Sequence, residues 1–112
     1  KVDPVHHMLL KSWDHGSNVT TLIKAMEKLQ GDFNMEEPTV VHCINGAGRT
    51  GIFLAVKSEM ERIRMENKVD LFNTVRQLRG SNHSMVLSKD DYGLCHHLLK
   101  EDNPQEPEYA NI

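Results

Sequence analysis

His42-Cys43-Ile44-Asn45-Gly46-Ala47-Gly48-Arg49-Thr50-Gly51 gathers a thiol, a guanidinium and three glycines within ten residues. The run before it, Thr39-Val40-Val41, is apolar and β-branched and predicts a short buried strand. The apolar-rich stretch from Arg49 onward predicts a helix. The ten residues therefore bridge a strand and a helix. At such a turn the first N–H groups of the helix lack intrahelical partners, and the positive end of its dipole faces whatever the turn encloses. An anion is the natural occupant.

Each residue type in the turn suits a tetrahedral anion. Gly46 and Gly48 let successive N–H groups converge without a Cβ in the way, so the backbone of Ile44, Asn45, Gly46, Ala47 and Gly48 can line a cradle. Arg49, six residues after Cys43, can hold two phosphate oxygens with one planar guanidinium. Cys43 then lies at the floor. An ordinary thiol ionises near pH ~8.5, and a helix N-terminus with a nearby cation lowers that, so Cys43 is expected to be a thiolate nucleophile. Two nucleotide-binding readings compete. Gly46-x-Gly48-x-x-Gly51 matches a dinucleotide fingerprint, but the acidic residue that should end a second strand is represented only by Asp70, which starts another helix. A Walker loop needs a Gly-Lys-Ser/Thr that is absent. The remaining alternative is an incidental glycine-rich turn beside a buried cysteine.

Outward from this turn the pattern is α/β. Residues 5–10 can form a strand, and Ser17 or Asn18 can cap a helix with Leu22, Ile23, Met26 and Leu29 on one face, ending near Gly31. With the strand at 39–43 this makes a right-handed parallel βαβ unit, with Cys43 at the carboxyl end of a strand, where open α/β sheets bind ligands. A C-terminal helical bundle follows. Ile52, Leu54, Ala55, Met60, Ile63 and Met65 give its first helix a broad apolar side. Asp70 can cap a helix to Arg79, and Ser88-Lys89-Asp90-Asp91 has the form of a capping box for a last helix to Lys100. Residues 101–112 are rich in Glu and Pro and are predicted to be a disordered acidic tail.

Composition excludes several classes. The net charge of −3 becomes +1 over residues 1–100 once the acidic tail is set aside, so no strong field marks a nucleic-acid binder. No apolar stretch is long enough to span a membrane. The two cysteines have no metal-like spacing, and the adjacent pairs His6-His7 and His96-His97 point apart on a strand or helix, so neither a metal nor a cofactor is expected. Cys95 reads as a small buried residue. A required thiolate suggests a reducing, cytoplasmic setting, including the cytosolic part of a larger protein.

The turn, with its His-Cys-x-x-Gly-x-Gly-Arg-Thr-Gly pattern, resembles the signature of the classical protein-tyrosine phosphatases. Ser12-Trp13-Asp14-His15-Gly16 resembles the family's Trp-Pro-Asp-His-Gly loop, and Val69-Asp70-Leu71-Phe72, Val75-Arg76-Gln77-Leu78-Arg79, Met85-Val86 and Tyr92 resemble its C-terminal half. The match runs over residues 6–100, which is identified as the C-terminal portion of a catalytic domain whose N-terminal half would supply further strands and the loop that stacks on phosphotyrosine. The resemblance implies a phosphotyrosine-containing protein as substrate, hydrolysed through a cysteinyl-phosphate. Cys43 is then the nucleophile, Arg49 the phosphate ligand and Asp14 the general acid, with Thr50 bonding to the departing thiolate. His42 would tune the surroundings of Cys43. Read without the family, Asp14 is a turn residue, Thr50 a residue of a first helical turn and His42 a structural histidine. The same Cys-x5-Arg chemistry also serves dual-specificity and phosphoinositide-directed enzymes.

This chain departs from the family pattern at defined places. The proline between Trp13 and Asp14 is missing, Ile44 and Asn45 replace Ser and Ala, and Asn82 replaces the second Arg of an Arg-x-x-Arg pair. Leu87 and Asp91 replace two glutamines, one of which orients the hydrolytic water, and leucine cannot orient water. The resemblance therefore implies a phosphatase with a slow second step. The alternative is a pseudophosphatase that binds phosphotyrosine proteins as a scaffold or protector. Finally, Glu106-Pro107-Glu108-Tyr109-Ala110-Asn111-Ile112 resembles a tail tyrosine that kinases modify and phosphotyrosine-reading domains bind, against the plain reading of a solvated acidic tail.

Overall fold

The computed structural model describes residues 6–13, 16, 18–33, 39–43, 48–86, 88–103, 105 and 107–109. In chain order the elements are α1 (Val19–Phe33), α2 (Gly48–Glu66), β1 (Lys68–Val69), α3 (Leu71–Ser81), α4 (Lys89–Asp102) and β2 (Glu108–Tyr109). α2 packs against α1, α3 and α4, which explains its sequence. Thr50, Gly51, Ile52, Phe53, Ala55 and Val56 are all buried, so its first half is apolar nearly all round, as befits a helix enclosed by neighbours. Leu54 there is half-buried, and towards the far end of the helix Ile63 is half-buried and Met65 exposed.

The core joins Val19, Ile23 and Met26 of α1 to Ile52, Val56 and Met60 of α2, Leu71 and Val75 of α3, and Cys95, Leu98 and Leu99 of α4. Each such aliphatic side chain contributes ~1.5–3 kcal/mol of burial. Leu22 and Leu29 border this face half-buried, as their spacing predicts, and α1 runs past Gly31 to Phe33. Asn18 meets the start of α1 differently from a side-chain cap. Its carbonyl accepts from Leu22 N–H at 3.1 Å while its side-chain amide donates to the Ser12 carbonyl at 2.7 Å. Ser17 lies outside the described residues.

One buried carboxylate organises the middle of the molecule. Glu59 is fully enclosed; Thr74 Oγ1 donates to its Oε1, and Asp70 N–H donates to its Oε2 at 2.9 Å. Arg62 Nε lies 3.4 Å from Oε2, near enough for charge pairing but without hydrogen-bond geometry. These bonds tie α2 to the start of α3 and alter the expected cap. Asp70 does occupy the N-cap position, but its side chain accepts from Asn73 Nδ2 at 2.8 Å and makes no capping bond. Ser88 caps α4 as predicted, accepting from Asp91 N–H at 3.0 Å, with Asp90 and Asp91 at the positive end of the helix.

The expected βαβ unit needs correction. The described residues of 5–10 and the segment 39–43 carry no strand, and the only ladder among the described residues pairs β1 with β2 in parallel, Lys68 opposite Glu108 and Val69 opposite Tyr109. The burial expected of Thr39-Val40-Val41 is also missing: Thr39 is exposed, Val40 is 85% exposed and Val41 is half-buried, since a strand without a hydrogen-bonded neighbour has nothing to cover it. The tail also differs from its prediction. Asp102 pairs with Lys24 at 2.7 Å, Pro107 is buried, and Glu108 N–H donates to the Asn67 carbonyl at 3.0 Å to start β2. Charge content, which predicts disorder there, does not register one buried proline and a two-residue ladder. Asn67, at φ 54°, ends α2 and aims the chain into β1.

Candidate functional site

The first turn of α2 carries the candidate site. It begins Gly48-Arg49-Thr50 with no acidic residue in its first turn, so nothing on the helix itself neutralises the positive end of its dipole. Cys43, half-buried, ends the described segment 39–43 that precedes it in the chain. Thr50 is buried, and among the described residues its Oγ1 has no hydrogen-bond partner. A buried hydroxyl without a partner is costly and therefore informative at a site of this kind. Arg49 is exposed, and its guanidinium carbon lies 5.2 Å from the centre of the Trp13 ring, a cation–π contact.

Trp13 reaches Arg49 because the segment that bears it is fastened elsewhere. Gly16 N–H donates to the Trp13 carbonyl at 2.7 Å, and Gly16 sits at φ 80°, a region that favours glycine. A Cβ on Gly16 would meet Leu94 Cδ2 at 3.0 Å, so glycine also permits the close approach to α4. Trp13 thus meets Arg49 while Gly16 meets α4, with the Asn18 amide holding the Ser12 carbonyl. The structure brings Trp13, Arg49 and Thr50 to one end of α2. Asp14, Ile44, Asn45, Gly46 and Ala47 lie outside the described residues.

Two contacts made by residues of the quoted motifs were not foreseen from the sequence. Gly51 is a contact glycine: a Cβ there would stand 3.1 Å from both Met85 Cβ and Val86 N, so the loop before α4 lies directly on the cradle helix. Arg79 holds that loop, with Nε donating to the Met85 carbonyl at 3.2 Å and Nη2 to the Val86 carbonyl. Asn82, where the family pattern has arginine, builds the loop instead, its Oδ1 accepting from Ser84 N–H at 3.0 Å. Leu87 is outside the described residues, and Asp91 is half-buried in the first turn of α4.

The two thiols differ in chemistry. Cys95 is fully buried, and burial first, then the Asp91 carboxylate, pushes its pKa up to about 12, which leaves it protonated and inert at neutral pH. Tyr92 is raised too, mainly by burial, with Cys95, Asp70 and Glu59 adding to the shift and Arg79 opposing it. Among the described residues no cluster of His, Cys, Asp or Glu could hold a metal ion. A cavity of about 320 Å³ under the Lys24–Asp102 and Arg64–Glu27 ion pairs, and another of about 230 Å³ beside Val41 and Phe53, do not include Cys43 or Arg49.

Comparison with known proteins agrees with the motif. The protein-tyrosine phosphatase family profile matches residues 1–101. Receptor-type tyrosine-protein phosphatase F of Danio rerio is 38% identical over 86 residues, 77% of this chain and 4% of that protein. The human receptor-type tyrosine-protein phosphatase alpha is 35% identical over 97 residues, 87% of this chain and 12% of that protein. The chain belongs to the protein-tyrosine phosphatase family. It spans a small fraction of the length of these relatives. The fold is accordingly that of a partial phosphatase domain, mostly helical with a two-stranded parallel sheet.

Proposed function

We propose that the protein hydrolyses phosphotyrosine in protein substrates through a cysteinyl-phosphate. The observation that carries this reading is the stacking of Arg49 on Trp13 at the uncompensated start of α2, beside the buried, unpartnered Thr50 hydroxyl. In the first step the Cys43 thiolate attacks phosphorus. An S–P bond forms as the P–O bond to the ring breaks, and the Asp14 carboxyl gives its proton to the leaving phenolate, whose conjugate acid has a pKa near ~10. Arg49 and the N–H groups of residues 44–48 hold the phosphoryl oxygens. In the second step water attacks phosphorus, its proton passes to Asp14, and phosphate leaves as the Cys43 thiolate re-forms with a hydrogen bond from Thr50. With Leu87 in the water-orienting position, the second step is the slower one.

Rapid-mixing hydrolysis of an aryl phosphate tests the reading, with Cys43→Ser as the control. A burst of phenol followed by slow turnover is expected. Absence of any Cys43-dependent release from folded protein would refute it.

The setting and a partner belong to the same proposal. The relatives are named receptor-type, and none of the described helices is long and apolar enough to cross a membrane, which supports a cytosolic catalytic part of a larger protein. Tyr109 is 42% exposed on β2, and once phosphorylated it would serve a phosphotyrosine-reading domain that binds extended peptide. Titrating such a domain with tail peptides that carry or lack phosphate on Tyr109 checks this, and equal affinity would end it.

A further inference from the structure

The loop between α3 and α4 is held in an unusual shape. Val86 is fully buried at φ 50°, a backbone region that β-branched residues rarely adopt and that persists only where the surroundings impose it. Three sets of contacts impose it here. Asn82 shapes the entry, its side chain accepting from Ser84 N–H and its carbonyl from Met85 N–H, each at 3.0 Å. Arg79 reaches back from the end of α3 to donate to two consecutive carbonyls, those of Met85 and Val86. Gly51 closes the third side, where the loop backbone comes so near that a methyl group would meet it at 3.1 Å.

Gly51 follows Arg49 and Thr50 directly on the same helical turn, so the loop cannot shift without freeing that turn. The two-pronged guanidinium is what the arrangement requires. A lysine ammonium carries the same charge but not the planar fork that spans adjacent acceptors. We propose that Arg79 is a positioning residue of the site: by gripping the carbonyls of Met85 and Val86 it presses their loop onto Gly51 and so fixes the turn that presents Arg49 and Thr50. The inference rests on the reading of that turn as the phosphate-binding one, and it concerns a residue that touches no substrate.

Amide hydrogen exchange and peptide titration of the whole protein test it. Arg79→Lys, Arg79→Ala and Gly51→Ala would be compared with Arg76→Lys, a change on the exposed side of the same helix. In all three site variants the amides of residues 49–53 should exchange about tenfold faster, the effect expected for loss of one charge-assisted bond, while residues 95–99 of α4 keep their protection. In a Cys43→Ser background the same variants should bind a phosphotyrosine peptide about tenfold more weakly, with the unphosphorylated peptide unaffected and lysine no better than alanine. Unchanged exchange at 49–53, or exchange rising equally there and in α4, would overturn the inference by showing no link or a merely structural one. Should the Cys43→Ser protein fail to prefer the phosphorylated peptide, the phosphate reading falls, and the exchange comparison still decides whether Arg79 positions the turn.

Discussion

The segments upstream of Gly48 and the elements downstream of it are built from similar apolar residues but held in different ways. Downstream, α2, α3 and α4 satisfy their own backbone bonds and bury Ile52, Val75, Leu98 and their neighbours in one core. Upstream, α1 does the same, but residues 6–13 and 39–43 form neither helix nor strand, with Leu9 69% and Val40 85% exposed. A helix closes its hydrogen bonds locally, whereas a strand depends on a neighbour distant in sequence. Three of the residues proposed for chemistry fall on the boundary between these regions: Cys43 ends the segment 39–43, and Arg49 and Thr50 open the packed part.

Substitutions on either side test this contrast, and the largest effect is expected at the boundary itself. Cys43→Ser should remove phenol release entirely while leaving the circular-dichroism spectrum and melting curve unchanged. In the packed region, Glu59→Ala strips the acceptor from Thr74 and Asp70 and leaves buried donors unpaired, for a loss of about 3 kcal/mol in urea unfolding. Leu9→Ser in the upstream segment 6–13 should cost less than about 0.5 kcal/mol in the same assay. An equal cost for the two would break the comparison. Ser88→Ala removes the cap of α4 and should cost about 1 kcal/mol.

The thiols sharpen the same contrast through pH. The Cys95 pKa is raised from an ordinary 9.0 to about 12 in the fold, so between those values the native state keeps a proton that the unfolded chain has lost. Stability from this group is fully present below pH 9 and falls as pH rises through that window, by about 1.4 kcal/mol per pH unit. Unfolding measured across the window should show a shallower fall in Cys95→Ala. Iodoacetamide at neutral pH should modify Cys43 and spare Cys95 until the protein unfolds. A small effect on binding is expected for Trp13→Ala, where loss of the contact with Arg49 should cost about 0.5–1 kcal/mol of phosphopeptide affinity.

Much of the helical architecture was legible in the sequence. The 3.6-residue spacing of Leu22, Ile23, Met26 and Leu29 marks the inner face of α1, and Ser88 with Asp91 marks the start of α4. The family was legible because the residue types from His42 to Gly51 are unusual together and their spacing is specific. Other features left no such trace. Glu59 reads as one more charge on a helix, since nothing in its neighbours reveals that α3 will cover it. Arg79 and Val86 are separated in sequence by a loop whose shape no local pattern encodes. The stretches read as strands kept neither their burial nor their pairing, because a short apolar run does not record which neighbour is present to cover it.

The sequence by itself determined the family and the helices, and it carries the motif from Cys43 to Arg49 and Thr50 on which the proposed chemistry rests, because propensity, periodicity and motif spacing act over a few residues. Only the tertiary structure decided that Trp13 stacks on Arg49, that Gly51 receives the loop held by Arg79, and that the acidic tail returns as β2 beside β1. Those contacts join residues far apart in the chain, and their energy exists only once α2 has packed among its neighbours.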